Sequence, residues 1–227
     1  MGGGRFRRRG FVKLHLGSGT ILPEGWVHLD ASWNARLAKW PALRKLLGRL
    51  GWISTETAAV PWSRRVRIHD LRRPLPFPDR SAEAIYSAHL LDYLYQTEAR
   101  RLLKECFRVL QPGGILRVSV EEIPTILRDY LEGGGGDGGE LPADRLARRL
   151  DFYEVRPPPG PFWLRFDRLM NAYHKRKWLY DADSLAHYLR EAGFSEVARK
   201  PIRESRIGGI EAVERGGGIA VEGVRPG

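Results

Sequence analysis

The chain has 227 residues, 42% of them hydrophobic, and a formal net charge of +11 from 38 Lys and Arg against 27 Asp and Glu; this length suits one α/β domain with insertions and a substantial core. No apolar run reaches the roughly 18 residues of a membrane span, and the start of the chain lacks the apolar stretch of a secretory signal, so a cytoplasmic location is expected. A single cysteine, Cys106, excludes an internal disulfide, and six scattered histidines lack the close His/Cys spacing of a zinc site, so no metal is expected.

Residues 1–10, with Arg5, Arg7, Arg8 and Arg9 among glycines, read as a disordered basic tail, and residues 11–227 as a single domain. Val12-Lys-Leu-His-Leu16 is a short β-prone run, followed at once by Gly17-Ser-Gly19, a turn that lets a ligand lie against the backbone. Trp26-Val-His-Leu-Asp30 is a second strand that ends in a carboxylate suited to a pair of ribose hydroxyls. A dinucleotide fingerprint is a poor fit. Leu22 stands where a third glycine belongs, and Asp30 comes too soon after Gly17 for the usual spacing of about 20 residues.

Residues 33–65 form an insertion in which Leu37, Trp40, Leu43, Leu47 and Leu50 recur at helical spacing, interleaved with Arg36, Lys39, Arg44, Lys45 and Arg49. Pro41 should break or kink this helix. Its basic amphipathic character fits packing onto its own domain, a lid over the ligand edge, or contact with a membrane surface. Arg67-Ile-His-Asp70 is a third strand ending in an acid, and the proline-rich 71–79 is irregular. Glu83–His89 is a fourth strand. Thr97 caps a helix over Glu98–Leu110, Pro112-Gly-Gly114 ends it, and Ile115–Val120 is a fifth strand. Cys106 lies on that helix's apolar face and reads as a packed thiol.

Residues 133–178 form a second insertion, a Gly-rich loop at 133–139 followed by an aromatic and basic cap. A helix over Asp183–Ala192 and strands over Glu196–Ile202 and Gly218–Val224 complete the chain. This order argues for a mostly parallel sheet with helices on both faces. Right-handed crossovers would bring Gly17, Asp30, Asp70 and His89 to one edge.

The constellation resembles the class I S-adenosylmethionine-dependent methyltransferases, and within them the methyltransferase type 11 domain. The resemblance rests on Leu14-His-Leu-Gly-Ser-Gly19, Trp26–Asp30, Asp70-Leu71 with Pro74–Asp79, Ile85–His89, the run Arg108-Val-Leu-Gln-Pro-Gly-Gly114, and Tyr180–Leu185 with Glu191–Phe194. It implies a Rossmann-like seven-stranded sheet whose last two strands form a reversed edge, with S-adenosylmethionine as cofactor. It also implies roles. Gly17, Ser18 and Gly19 would lie along the methionine part of the cofactor, with His15 standing where the family usually has an acid. Asp30 would accept from the ribose, Asp70 and Leu71 would read the adenine, and Ser87 and His89 would face the sulfonium.

Methyl transfer needs alignment of nucleophile and methyl group, and an oxygen nucleophile gains from a general base. His89 is the first candidate for that base and His174, in Ala172–Trp178, the second. The cap's aromatic and arginine residues suit a small acceptor, anionic or glycosidic, which points to O-methylation of a sugar or of a natural-product or glycan intermediate. Two other readings remain open. The basic charge allows a nucleic-acid-associated methyltransferase or binding module, although no Asn-Pro-Pro-Tyr-like tetrapeptide follows the fourth strand. His15 and the insertion allow a catalytically silent or membrane-surface cofactor-binding protein.

Overall fold

In the computed structural model, residues 11–50, 52–53, 60–132, 141–150, 152, 175–214 and 216–227 are described. The basic tail, the Gly-rich loop, most of the aromatic cap and His174 lie outside them. The described residues form one seven-stranded sheet in the order β3-β2-β1-β4-β5-β7-β6. The strands are β1 (Val12–Leu16), β2 (Trp26–Asp30), β3 (Arg67–Ile68), β4 (Ala82–Ala88), β5 (Leu110–Val120), β6 (Ser195–Lys200) and β7 (Ile219–Val224).

β1, β2, β3, β4 and β5 run parallel. Only β7 is reversed: it pairs antiparallel with both β5 and β6, which leaves β6 pointing the same way as β5. The expected two-strand reversed edge is therefore a single reversed strand threaded between two that agree.

A parallel sheet must be covered on both faces, and the apolar residues divide accordingly. Leu14, Leu16, Leu29, Ile85, Leu116 and Val118 pack beneath helix α3 (Gln96–Val109) and helix α6 (Ala182–Glu191), through Leu102, Leu103, Leu185 and Leu189. Each such buried leucine contributes about 1.5–3 kcal/mol. On the opposite face Trp26, Ala84, Tyr86 and Ala88 meet Ile207, Ile210 and Val213. Cys106 is enclosed in the first layer, and burial pushes its thiol far above the usual range, as a packed rather than reactive group requires.

Local chemistry sets several boundaries away from their predicted places. Helix α3 begins at Gln96, because the Glu98 carboxylate accepts the Tyr95 N–H at 3.1 Å and Tyr95 becomes the N-cap; Thr97 sits inside the first turn. The helix stops at Val109, and Leu110 already belongs to β5. Arg225, from the end of the chain, donates to the carbonyls of Phe107 (2.7 Å), Arg108 (2.9 Å) and Leu110, and so satisfies acceptors that a helix end leaves open. β3 has two residues rather than four, since Asp70 turns the chain by accepting the Arg72 N–H at 3.1 Å and, through its carbonyl, the Arg73 N–H at 2.9 Å.

The first insertion breaks at Pro41 as expected, into α1 (Trp33–Ala38) and α2 (Pro41–Arg49), with the proline at a helix start where no N–H is missed. Helix α4 (Ile123–Leu131) follows β5, and α5 (Pro142–Arg149) opens the cap. Among the described residues no helix is long and apolar enough to cross a membrane, and no cluster of His, Cys, Asp and Glu is arranged to hold a metal ion.

Candidate active site

The strand ends line up. Leu16 is in register with Leu29 on one side and Ser87 on the other, Asp30 with Ile68, and Ala88 with Ser119. Backbone hydrogen bonds continue that alignment past the strands: Gly17 and Ser18 donate to the Leu29 carbonyl (2.9 and 3.3 Å), His69 to Asp30 (3.2 Å), and His89 to Ser119 (2.9 Å). Gly17, Ser18, Gly19, Asp30, Asp70, Ser87 and His89 thus come to one edge, as the sequence pattern requires.

Gly17 and Gly19 both occupy the left-handed region, at φ +66° and +56°. A Cβ on Gly17 would fall 3.2 Å from Leu90, so conformation and space both call for glycine there. Asp30 is nearly buried and fixes the turn, accepting the Gly19 N–H at 3.0 Å through one oxygen and the Ser32 N–H at 2.7 Å through the other. An ionised carboxylate has about four acceptor positions, so these two bonds leave room for a ribose diol. Ser32 then caps α1 by accepting from Ala35 at 3.2 Å.

Leu71 is buried, but Asp70 is already engaged. Arg72 grips its carboxylate bidentately at 2.9 and 2.7 Å, and these hydrogen bonds hold the carboxyl below the usual range. An adenine amine would have to share that carboxylate with the guanidinium. Ser87 and Ser119 are buried with hydroxyl oxygens that have no hydrogen-bond partner among the described residues, Ser87 on the face of Val118 and Ser119 on the opposite face with Ala88.

His15 does not join the edge. It is fully buried, its ring 5.3 Å from Tyr86 and 6.4 Å from Trp26, with its Nδ1 3.4 Å from Nδ1 of His28. Its position among aromatic rings accounts for the missing acid: a carboxylate enclosed there would lack a counter-charge, whereas a neutral imidazole packs. His28 in turn meets the Pro23 carbonyl at 3.0 Å, and burial holds its pKa below the ordinary value.

His89 lies one residue beyond β4, at φ +47°. A non-glycine residue in this region is strained, and such strain persists where surrounding contacts enforce it. Next along the chain, a single 3-10 turn (Leu91–Tyr93) buries a residue that spacing alone did not reveal. Asp92 is 2% exposed, and neither carboxylate oxygen has a hydrogen bond among the described residues.

Asp92 ends a chain of alternating charges. Arg176 Nε lies 3.5 Å from it and Arg176 Nη2 3.1 Å from Glu121; Arg149 joins Glu121 at 3.1 Å to Asp129 at 2.7 Å. The Lys177 and Trp178 amides also donate to the Asp92 carbonyl, at 2.7 and 3.2 Å. Desolvation pushes the Asp92 carboxyl above the usual range, against the opposing pull of Arg176 and His89. The chain of charges ties both described flanks of the cap, α5 and residues 175–178, to the exits of β4 and β5.

Residues 53–118 match the methyltransferase domain family. No curated protein matches the chain. Among solved structures, similarity extends to the methyltransferase in complex with the Trm112 methyltransferase activator of Haloferax volcanii (16% identity, TM-score 0.49, covering 96% of this chain and 84% of that one). It extends also to an S-adenosylmethionine-dependent methyltransferase of Thermotoga maritima (16%, 0.45, 95% and 82%). PigF with S-adenosylhomocysteine is similar too (15%, 0.45, 95% and 56%).

The matched segment runs from the first insertion through most of β5, so it contains the Asp70 turn, the strained His89 and the buried Asp92. The glycine turn and Asp30 precede it, at the ends of β1 and β2. The family match thus covers the central part of the chain, within a sheet that has a single reversed strand next to its edge.

Proposed function

We propose that this chain transfers the methyl group of S-adenosylmethionine to a hydroxyl of a small acceptor, a sugar or a natural-product or glycan intermediate, with His89 as general base. The observation that carries this reading is the position of His89, at φ +47° just beyond β4 and three residues before the buried Asp92. A histidine at this strand end carries a ring nitrogen that can take the proton of an acceptor hydroxyl.

The cofactor, when bound, supplies a sulfonium methyl group. Gly17 and Gly19 would let it approach the backbone, Asp30 would accept from its ribose, and Ser87 would offer a hydroxyl at the end of β4. Arg176 and Glu121 present one cation and one anion at the acceptor side, which suits a polar acceptor better than a flat apolar one. In-line displacement asks little else of the protein than alignment and exclusion of water.

The test is transfer of labelled methyl groups from S-adenosylmethionine to a panel of sugar and phenolic acceptors, comparing wild type with His89→Ala. Wild type should methylate an acceptor oxygen, and His89→Ala should lose about 10²- to 10⁴-fold in turnover near neutral pH while retaining the cofactor. Equal turnover would remove His89 from the mechanism, and a methyl group found on carbon or nitrogen would overturn the O-methyl assignment.

A further inference from the structure

The first insertion does not fold its apolar side wholly onto the domain. Leu37, Leu47, Ile53 and Trp33 form a small cluster of their own. Beside it Trp40 (68% exposed), Leu43 (44%), Leu46 (51%), Leu50 (57%) and Trp52 (39%) stand in solvent. On a helix with 3.6 residues per turn, Leu43, Leu46 and Leu50 form one continuous stripe, with Leu47 on its inner border. Lys45 and Arg49 project from the opposite flank and Arg36 from α1, all exposed.

Lys39 and Arg44 donate to the carbonyls of Arg64 and Val60, the latter at 2.7 Å, and so hold the returning chain against the two helices. From residue 31 to residue 55 the sequence contains five Lys or Arg and no Asp or Glu.

We infer that α1 and α2 form a docking face for an anionic lipid bilayer surface. Leucines between tryptophans, bordered by cations, match the interfacial zone of a bilayer: the stripe enters the acyl boundary, the indoles stay at headgroup depth, and the cations meet lipid phosphates. A second copy of the chain is a poorer occupant, since two such faces would bring ten like charges together with no acid on either side. Nucleic acid fits less well than lipid, because a leucine stripe has no role against phosphates alone. α1 begins just after Asp30, so docking here would turn the ligand edge of the sheet toward the membrane.

The test is co-sedimentation of the full chain with vesicles of phosphatidylcholine alone, or with about one quarter phosphatidylglycerol. Wild type should bind the anionic vesicles at least about tenfold better, and high salt should weaken the binding. The triple variant Leu43→Ser, Leu46→Ser, Leu50→Ser should lose at least about tenfold while its melting temperature and near-ultraviolet spectrum stay those of wild type. Lys45→Glu with Arg49→Glu should weaken binding to anionic vesicles.

The emission of Trp40, isolated by comparison with Trp40→Phe, should shift to the blue on binding, which gives a second reading that involves no leucine. Deleting residues 2–10 should leave most of the binding intact. Wild type remaining in the supernatant with anionic vesicles would overturn the inference. So would a triple variant that sediments like wild type, binding lost with the tail, or a wild-type dimer that the triple variant dissociates.

Discussion

Two buried clusters of charge lie on this sheet, and they are built on opposite principles. Around Arg117, on β5, the pairing is dense: the guanidinium donates to Glu214 at 2.6 Å, to Glu222 at 2.9 Å, and to the carbonyls of Glu204 and Pro201 at 2.9 Å each. Glu214 also accepts the Arg203 N–H, and Glu222 the Ser205 hydroxyl. All three charged side chains are fully buried. Around Asp92 the carboxylate is equally buried, yet its nearest cation stands at 3.5 Å and neither oxygen has a hydrogen bond among the described residues. Dense pairing serves to hold a loop, here residues 201–214, against the sheet. Incomplete pairing at a strand end raises the energy of the free protein and leaves acceptors for something else to satisfy.

The largest expected effect sharpens the first half of that contrast. Arg117→Met leaves two carboxylates buried without their cation and should destabilise the fold by about 3–5 kcal/mol in urea unfolding. The triple change Arg117→Met, Glu214→Gln, Glu222→Gln should recover much of that loss, because the uncompensated charges are gone. A small loss from Arg117→Met alone would show that the cluster is not what fixes the loop.

The second prediction could break the contrast. Asp92→Asn should lower turnover about 10²-fold without lowering the melting temperature at neutral pH. The sign follows from linkage. The folded carboxyl binds its proton more tightly than the unfolded one, so wild type is penalised as pH rises from about 4, and the variant escapes the penalty. Its advantage should therefore vanish on acidification to that value. A variant that melts several degrees lower at neutral pH would make Asp92 a structural residue like Arg117.

Gly17→Ala should act chiefly on the cofactor side, with a loss of about 1–2 kcal/mol in fold stability beside it. A left-handed alanine is strained by about 1–2 kcal/mol, and its methyl group meets Leu90, so affinity for S-adenosylhomocysteine should fall about tenfold or more. Calorimetric titration of the two proteins measures this, and equal affinities would deny that the turn holds the ligand.

The smallest effect belongs to His28. Because burial lowers its pKa in the fold, the stability it contributes is complete above its ordinary value of about 6.5 and is lost as pH falls below it. Chemical unfolding of His28→Phe across that range should give a flatter pH profile than wild type, and an identical slope would refute it.

What could be read in the sequence was what local backbone chemistry decides. Gly17, Gly19 and Asp30 are neighbours through a turn, and the turn's need for glycine and for an acceptor is written in spacing. The Pro74–Asp79 loop and Arg108 were recognisable together as a motif, and the structure supplies the reason: Arg108 donates to the carbonyls of Leu75 and Phe77 and to Asp79, at 3.0, 3.0 and 2.7 Å.

Asp92 was not legible. Its partners come from the far side of the cap, and an aspartate in a stretch of leucines and tyrosines has no periodic signature. The buried place of His15 was hidden likewise, because its neighbours Trp26, His28 and Tyr86 come from two flanking strands. The helix boundary at Tyr95 and the Arg225 cap fail for the same reason: each is settled by one side chain whose reach cannot be inferred from pattern.

The most direct test is calorimetric titration of S-adenosylmethionine into the full chain, with Gly17→Ala beside it. Saturable binding to wild type that weakens about tenfold or more in the variant is the expected result. Absence of binding heat from wild type at millimolar cofactor would contradict the account.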